Sequence, residues 1–557
     1  MSVTFTLNGE EFTAADEPQR RSLLDVLRGE ARITSAKDGC APQGQCGCCT
    51  VLVDGKARVA CVTPVRRVAG REVTTLEGLE DAVTRQWADA LLECGGSQCG
   101  FCTPGIVMRL EDCRRKAEAA ENAGAAGSAD ADSAQEARLQ RALAAHLCRC
   151  TGWQGITEAA VEVLNAGSPT GAGSEGRDDQ PRAARNGAGN IDAVARRAAL
   201  EGGRPQRING EAVLGRGGFA ADTAPRDALI AVPGPDGDWV VGQTMAEVRE
   251  AAAKVQGRRT TLEAAPPIAA PQGRWDSVLR TSWVEPAYLE TDASWCEPGG
   301  EPADPLANGG AFGAKSDSPL PAVARRLADE HGRAVLALWS REDSVRHGPK
   351  RPPVAMAMNG DGRGIVRVAR TDSIADAILV AAPGLEVEQV DVVGPPTSAA
   401  LRAAGWAEAF CASVAAGAES PLGGIESEAV VVGMPTGATA RVEVVQRDGG
   451  RILVAVDAGD PLDEAVLRSY VIGAVHMAAG WVCSEGLAVD DAGDVCDLTI
   501  RSFGVLGAAA MPPVEVVATG SGGEPVGVGD AVFAATAAAL WRHHGFTADW
   551  PLRAAVL

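Results

Sequence analysis

Eight cysteines fall into two sets of four whose spacing suits metal chemistry. Cys40, Cys46, Cys49 and Cys61 read C-x5-C-x2-C-x11-C within GCAPQGQCGCCTVLVDG; Cys99, Cys102, Cys148 and Cys150 read C-x2-C followed far along the chain by C-x-C, within SQCGFCTPG and HLCRCTGW. A binuclear iron core needs two thiolates per iron, and plant-type ferredoxins take three of four from one loop and the last from further on. The first set has that form, with one residue more than usual in its first gap and Cys48 as a spare thiol beside the ligands. Cys46 and Cys48 both compete for the second ligand position, and the x2 gap and the following glycine favour Cys46. Each pair of the second set sits at a helix end, so two helix termini can bring four sulfurs together. Structural zinc also favours four thiolates, and the second pattern taken alone fits either metal.

Eleven of the fifteen cysteines precede residue 151. Met1–Ala14 lacks the basic start and apolar run of a secretory signal, so the chain reads as cytoplasmic, where thiols stay reduced and clustered cysteines point to metal rather than disulfides. A formal charge of -21 repels phosphate backbones and anionic lipid, excluding nucleic acid and membrane surfaces as partners. The longest apolar stretch, Val471–Cys483, contains His476 and is shorter than the roughly 18 residues of a membrane span. A chain of 557 residues exceeds a single core, which stops growing at roughly 250–300 residues.

The elements that must position these thiols follow from pattern. Val3, Phe5 and Leu7 alternate before Asn8-Gly9, a hairpin signal; Leu23, Leu24 and Leu27 fall at helical spacing before Gly29; Asp54-Gly55 joins Thr50–Val53 to Ala57–Cys61. Residues 1–78 thus form a β-grasp, ferredoxin-like domain. Residues 79–165 read as four helices, with Thr103-Pro104 opening Gly105–Lys116, further helices over Glu136–Leu147 and Thr157–Leu164, and a solvated low-complexity insertion at 121–133. Residues 166–203, rich in Gly, Ala, Ser, Asp and Arg, have a linker's composition. The rest, 204–557, is mixed α/β, with a strand at Arg333–Ser340 after a helix Pro319–His331 and a hairpin around Asp448-Gly449. The fold class is therefore α+β and multidomain.

A β-grasp loop with GQCGCCTVLVDG followed by a helical unit with QCGFCTPG and LCRCTGW resembles the iron-sulfur unit of the xanthine dehydrogenase family of molybdenum hydroxylases. The resemblance implies two [2Fe-2S] clusters, the helical-domain cluster next to the pterin of a molybdenum cofactor and the β-grasp cluster towards a flavin. It makes Gln98 the glutamine that contacts the pterin. Weaker similarity to the family's large subunit runs from Arg204 onward: RINGEAVLGRGGFAAD (Arg207–Asp222) resembles its opening, GGAFGAK (Gly309–Lys315) its GGxFGxK loop, whose Phe312-Gly313 backbone would lie against the metal site, Arg402 the arginine of its RGxG loop, and Gly523-Glu524-Pro525 the segment bearing the catalytic base. A metal-bound hydroxide must lose a proton as it attacks carbon, which a buried carboxylate, Glu524, would accept, with Arg402 orienting substrate.

That second region is about half the length of the family's large subunit; its pterin loops and a flavin domain are absent from the sequence. The reading is accordingly an electron-transfer subunit, passing reducing equivalents from a molybdenum-pterin centre through two clusters to FAD on a partner, with a molybdenum-binding subunit and a FAD-binding subunit as partners. The alternatives are a self-sufficient molybdopterin-dependent hydroxylase with Glu524 as base, and a zinc-stabilised interaction protein.

Overall fold

The computed structural model describes residues 2–15, 21–122, 131–167, 191–253, 262–447, 449–520 and 522–557. Strands Ser2–Leu7 and Glu10–Ala15 pair antiparallel across Asn8-Gly9, both at positive φ as a two-residue hairpin demands. Strand Glu72–Thr74 joins this hairpin to a second one, Thr50–Val53 with Lys56–Val59, giving a five-stranded sheet. Helix Leu23–Gly29 closes it: Ser22 and Asp25 form a reciprocal N-terminal cap, and Leu23, Leu24, Val26 and Leu27 are buried in a core with Phe5, Val51 and Val73.

Helices Asp81–Glu93, Thr103–Asn122, Ala131–Leu143 and Gln154–Ala166 make the expected four-helix unit. The second ends, and the third begins, inside the segment expected to be an insertion; residues 123–130 lie outside the described residues.

The expectation of a linker over 166–203 needs correction. Residues 168–190 lie outside the described residues, but Ile191–Gly202 is a helix that buries Ala193, Arg197, Ala198 and Glu201. Composition missed it because hydrogen bonding, not large apolar side chains, holds it down. The Arg197 guanidinium donates to the carbonyls of Pro461 (3.0 Å), Asp460 (2.5 Å) and Val526 (2.7 Å), and pairs with Glu201 four residues on (3.2 Å).

Three further sheets follow. A four-stranded one contains Leu229–Pro233 and Val335–Leu338 at its centre, and two five-stranded ones are built around Val354–Met358 and Thr439–Val445. The hairpin of Thr439–Val445 with Arg451–Asp457 is present; Asp448 of its turn lies outside the described residues. Helices Glu464–Cys483 and Gly529–His543 pack together in the largest core, where Trp481 stacks on Phe533 at 5.2 Å. The first is long and apolar enough to cross a bilayer, yet 94% of its apolar window is buried within the protein, as befits a core helix.

Candidate metal centres

All eight expected ligands are buried. In the first set the Cys40 thiol lies within electrostatic reach of Cys46 and Cys61, and Cys61 of Cys49, so all four sulfurs are linked. Those contacts hold Cys40 well below the usual thiol range, against burial. Backbone N–H groups of Gln45 and Cys46 (both 3.3 Å) point at Cys40 Sγ, and that of Cys61 at Cys49 Sγ (3.4 Å), as thiolates require. In the second set Cys99 and Cys150 meet at 3.6 Å, and Cys102 pairs with Cys148, whose thiol is pulled down to about 6 chiefly by that contact. In this second set the thiols meet two by two, which suits two thiolates per iron. Among the described residues no three His, Cys, Asp or Glu side chains close round a single-ion position.

Packing locks the two loops together. Leu147 N–H donates to Cys46 O at 3.0 Å, and His146, wedged against Gly47, bonds Thr50 Oγ1 and Gly105 O, both at 3.2 Å. Burial drives the His146 pKa down to about 3, which keeps the ring neutral. Cys48, the spare thiol, is electrostatically coupled to Cys40 and Cys49 of one set and Cys148 of the other. It is buried in the same cluster as Cys40, Cys46, Cys102 and Cys148.

The C-terminal region covers the second set. Asn308 Nδ2 donates to Cys99 O at 2.8 Å, and Gly310, at positive φ, approaches so closely that an added Cβ would stand 2.9 Å from Cys99 Cβ and 3.6 Å from Cys150 Sγ. On helix Glu464–Cys483 a Cβ at Gly473 would come within 1.8 Å of Cys150 O. Between the two ligands of C-x-C, Arg149 forms a buried bidentate pair with Glu485 (2.5 and 2.8 Å). Sequence reasoning passed over both; Arg149's place inside the motif was the available signal.

Of the other expected site residues, Phe312, Gly313 and Arg402 come together. The Arg402 guanidinium lies 4.8 Å from the Phe312 ring centroid, and its backbone N–H donates to Phe312 O at 3.2 Å. Gln98 is buried beside Cys99, its Nε2 donating to Cys150 O (3.0 Å) and Ser469 Oγ (2.9 Å), its Oε1 without a partner. Glu524 is elsewhere: its side chain is 90% exposed, paired at 3.1 Å with the exposed Arg196. The expectation of a buried base at Glu524 is thus corrected, since an exposed carboxylate has neither the desolvation nor the enclosure that a general base needs. A different carboxylate, the buried Glu201, occupies the neighbourhood of Arg402. It caps helix Gly529–His543 by accepting from Val528 and Gly529 N–H (2.8 Å to the latter), and its backbone carbonyl takes Arg402 Nη2 at 3.2 Å.

Residues 75–161 match the [2Fe-2S] binding domain family. The chain is 36% identical over 165 residues to a protein of Bacillus subtilis (strain 168) described as a probable xanthine dehydrogenase component, a match spanning 29% of this chain and 86% of that one. The nicotinate dehydrogenase small FeS subunit of Eubacterium barkeri is 34% identical over 154 residues, covering 28% of this chain and 88% of the relative. This chain belongs to the xanthine dehydrogenase family of molybdenum hydroxylases. Against xanthine dehydrogenase of Drosophila subobscura the match is 36% over 168 residues, 28% of this chain but only 11% of that much longer relative. The fold of the whole chain is that of aldehyde oxidoreductase from Desulfovibrio gigas, with a TM-score of 0.66 and 15% identity over 97% of both chains. The family's iron-sulfur domains and the fold of its molybdopterin region are therefore both present.

The iron-sulfur sets fit their cofactor: paired, buried and met by N–H donors. The pterin does not fit the site as it stands. The cavity between Phe312, Arg402, Trp481, Glu485 and Phe533 is about 30 Å³, room for about one water. Gly313 packs so tightly that a Cβ would lie 1.9 Å from Ala400 O.

Proposed function

We propose that this chain is the electron-transfer component of a molybdenum hydroxylase. Cys99, Cys102, Cys148 and Cys150 hold one [2Fe-2S] cluster and Cys40, Cys46, Cys49 and Cys61 the other, each able to take up and release one electron. Electrons enter at the helical-domain set, from a molybdenum-pterin centre on a partner chain, and leave from the β-grasp set to a flavin on another. The observation that carries this reading is the meeting of eight buried thiols in two adjacent sets. The protein's own part is to exclude water, supply N–H donors to the sulfurs, and keep the two loops in contact through Leu147 and His146.

Gly310 against Cys99 and Arg402 over Phe312 favour a second reading, a chain that completes its own molybdenum site when helix Ile191–Gly202 is displaced. Metal analysis of the anaerobically isolated chain separates the two. The first reading expects about four irons and about four labile sulfides per chain, two distinguishable reduced-state paramagnetic signals and no molybdenum. One molybdenum per chain would favour the second, and a colourless zinc protein would overturn both.

A further inference from the structure

A cleft of about 400 Å³ lies between helix Leu23–Gly29 of the β-grasp domain and the sheet containing Leu229–Pro233. Nothing in the reading above uses it. Its volume is that of a small-molecule site, and its walls have the usual mixture of apolar surface with a few convergent charges. Leu24, Phe101, Phe219, Ile230, Met245 and Leu336 supply the apolar part.

The charges do not cancel. Three of the six lining arginines have an acid: Arg21 pairs with Glu30, Arg28 with Asp222 (2.8 Å), and Arg249 with Asp25 (3.2 Å) and Asp38 (2.5 Å). The lining carboxylate Glu290 is itself taken by Lys315 at 2.8 Å. Three lining arginines have no ion-pair partner among the described residues. Arg341 is 1% exposed; its Nε and Nη2 donate to the carbonyls of Gly39 (3.1 Å) and Leu289 (2.8 Å), its guanidinium lies 5.7 Å from the Tyr288 ring centroid, and its Nη1 has no partner. A buried cation held by neutral groups is a costly arrangement that an anion would relieve. Arg32 and Arg226 both lie at the exposed edge, where Arg32 Nη2 donates to the Arg226 carbonyl and where burial first, and then the nearby charges of Arg226 and Arg28, lower the Arg32 pKa. Like charges crowded beside an apolar cavity form an anion site in want of an anion, and guanidinium forks match carboxylate and phosphate geometry.

We propose that this cleft binds an organic anion, a carboxylate or phosphate ester carried on a flat apolar body, with Arg341 inside and Arg32 and Arg226 at the mouth. The site flanks the first thiol set, since Asp38 and Ala41 line it and bracket Cys40. The inference does not depend on the relay or on the source of its electrons.

The test is calorimetric titration of the anaerobically purified full chain with AMP, benzoate and inorganic phosphate. Saturable binding of AMP or benzoate, tighter than inorganic phosphate and weakened by added salt, is the expected result; which organic probe binds tells phosphate from carboxylate recognition. Arg341→Met should weaken it by about tenfold or more. Arg32→Gln with Arg226→Gln, both at exposed positions and so harmless to folding, should weaken it several-fold. No binding by either organic probe overturns the proposal, as does binding that the arginine variants leave unchanged. Inorganic phosphate binding as tightly as AMP would overturn the role of the apolar wall.

Discussion

One loop, Asn308–Lys315, touches two very different places. At one end Gly310 rests on Cys99 and Cys150, where the four thiols of the second set lie together and buried. At the other end Phe312 meets Arg402, where the arginine is engaged by Glu201 and Asp530 and the carboxylate expected as its companion lies on the surface. The difference teaches what each kind of site demands. Thiol ligands come in short motifs at fixed spacing, so local geometry nearly determines their meeting. An open cofactor pocket depends on what distant segments leave empty, and here the helix from the expected linker ties up Arg402 through the Glu201 carbonyl.

The sharpest way to break this comparison is at the sulfurs. Cys150→Ser should remove one of the two reduced-state paramagnetic signals and bring iron from about four to about two per chain, leaving the other signal in place. Two unchanged signals would mean that the ligand assignment is wrong. A smaller but still large effect is expected at the seam behind that cluster. Glu485→Ala leaves Arg149 buried without its carboxylate and should destabilise the chain by about 3–5 kcal/mol in denaturant titration. It should also shift the signal of the second cluster, not the first; a loss below about 1 kcal/mol would show that the pair is not holding the seam.

The pH dependence follows from His476, buried in helix Glu464–Cys483 with Nε2 2.9 Å from Leu506 O. Burial, with Arg149 nearby, lowers its pKa from 6.5 to about 4. A ring that stays neutral in the fold but protonates when unfolded stabilises the native state fully above pH 6.5. That stability is lost as pH falls towards about 4, a difference of about 3 kcal/mol. His476→Gln should flatten the melting temperature across this window; an unchanged acid slope would reassign it to other groups. The smallest effect belongs to Glu524→Gln. As an exposed pair with Arg196 it should alter stability by no more than about 0.5 kcal/mol and leave both iron signals untouched. A large change in either would restore Glu524 to a working site.

Much of this was legible in the residues. The alternation around Asn8-Gly9 and Asp54-Gly55, the four helices and both cysteine sets could be read because hairpin turns, helical periodicity and ligand spacing are local signals. The helix Ile191–Gly202 could not, since its anchor is an arginine reaching carbonyls of residues 460, 461 and 526, and composition sees only an absence of large apolar side chains. Glu524 failed for a related reason: a short motif identifies descent, whereas burial depends on what the rest of the chain packs over it. Arg149 and Glu485 are separated by more than 300 positions, and no pattern along the chain pairs them.

The bare backbone at Gly473 carries one more implication. With room for only a hydrogen atom beside Cys150 O, the core helix and the cysteine loop are matched like two halves of a mould. Grafting the first 165 residues of a relative onto this C-terminal body should therefore succeed only if the glycine-bearing face of that helix travels with the graft, which makes chimeras a direct gauge of how far the two parts have become one machine.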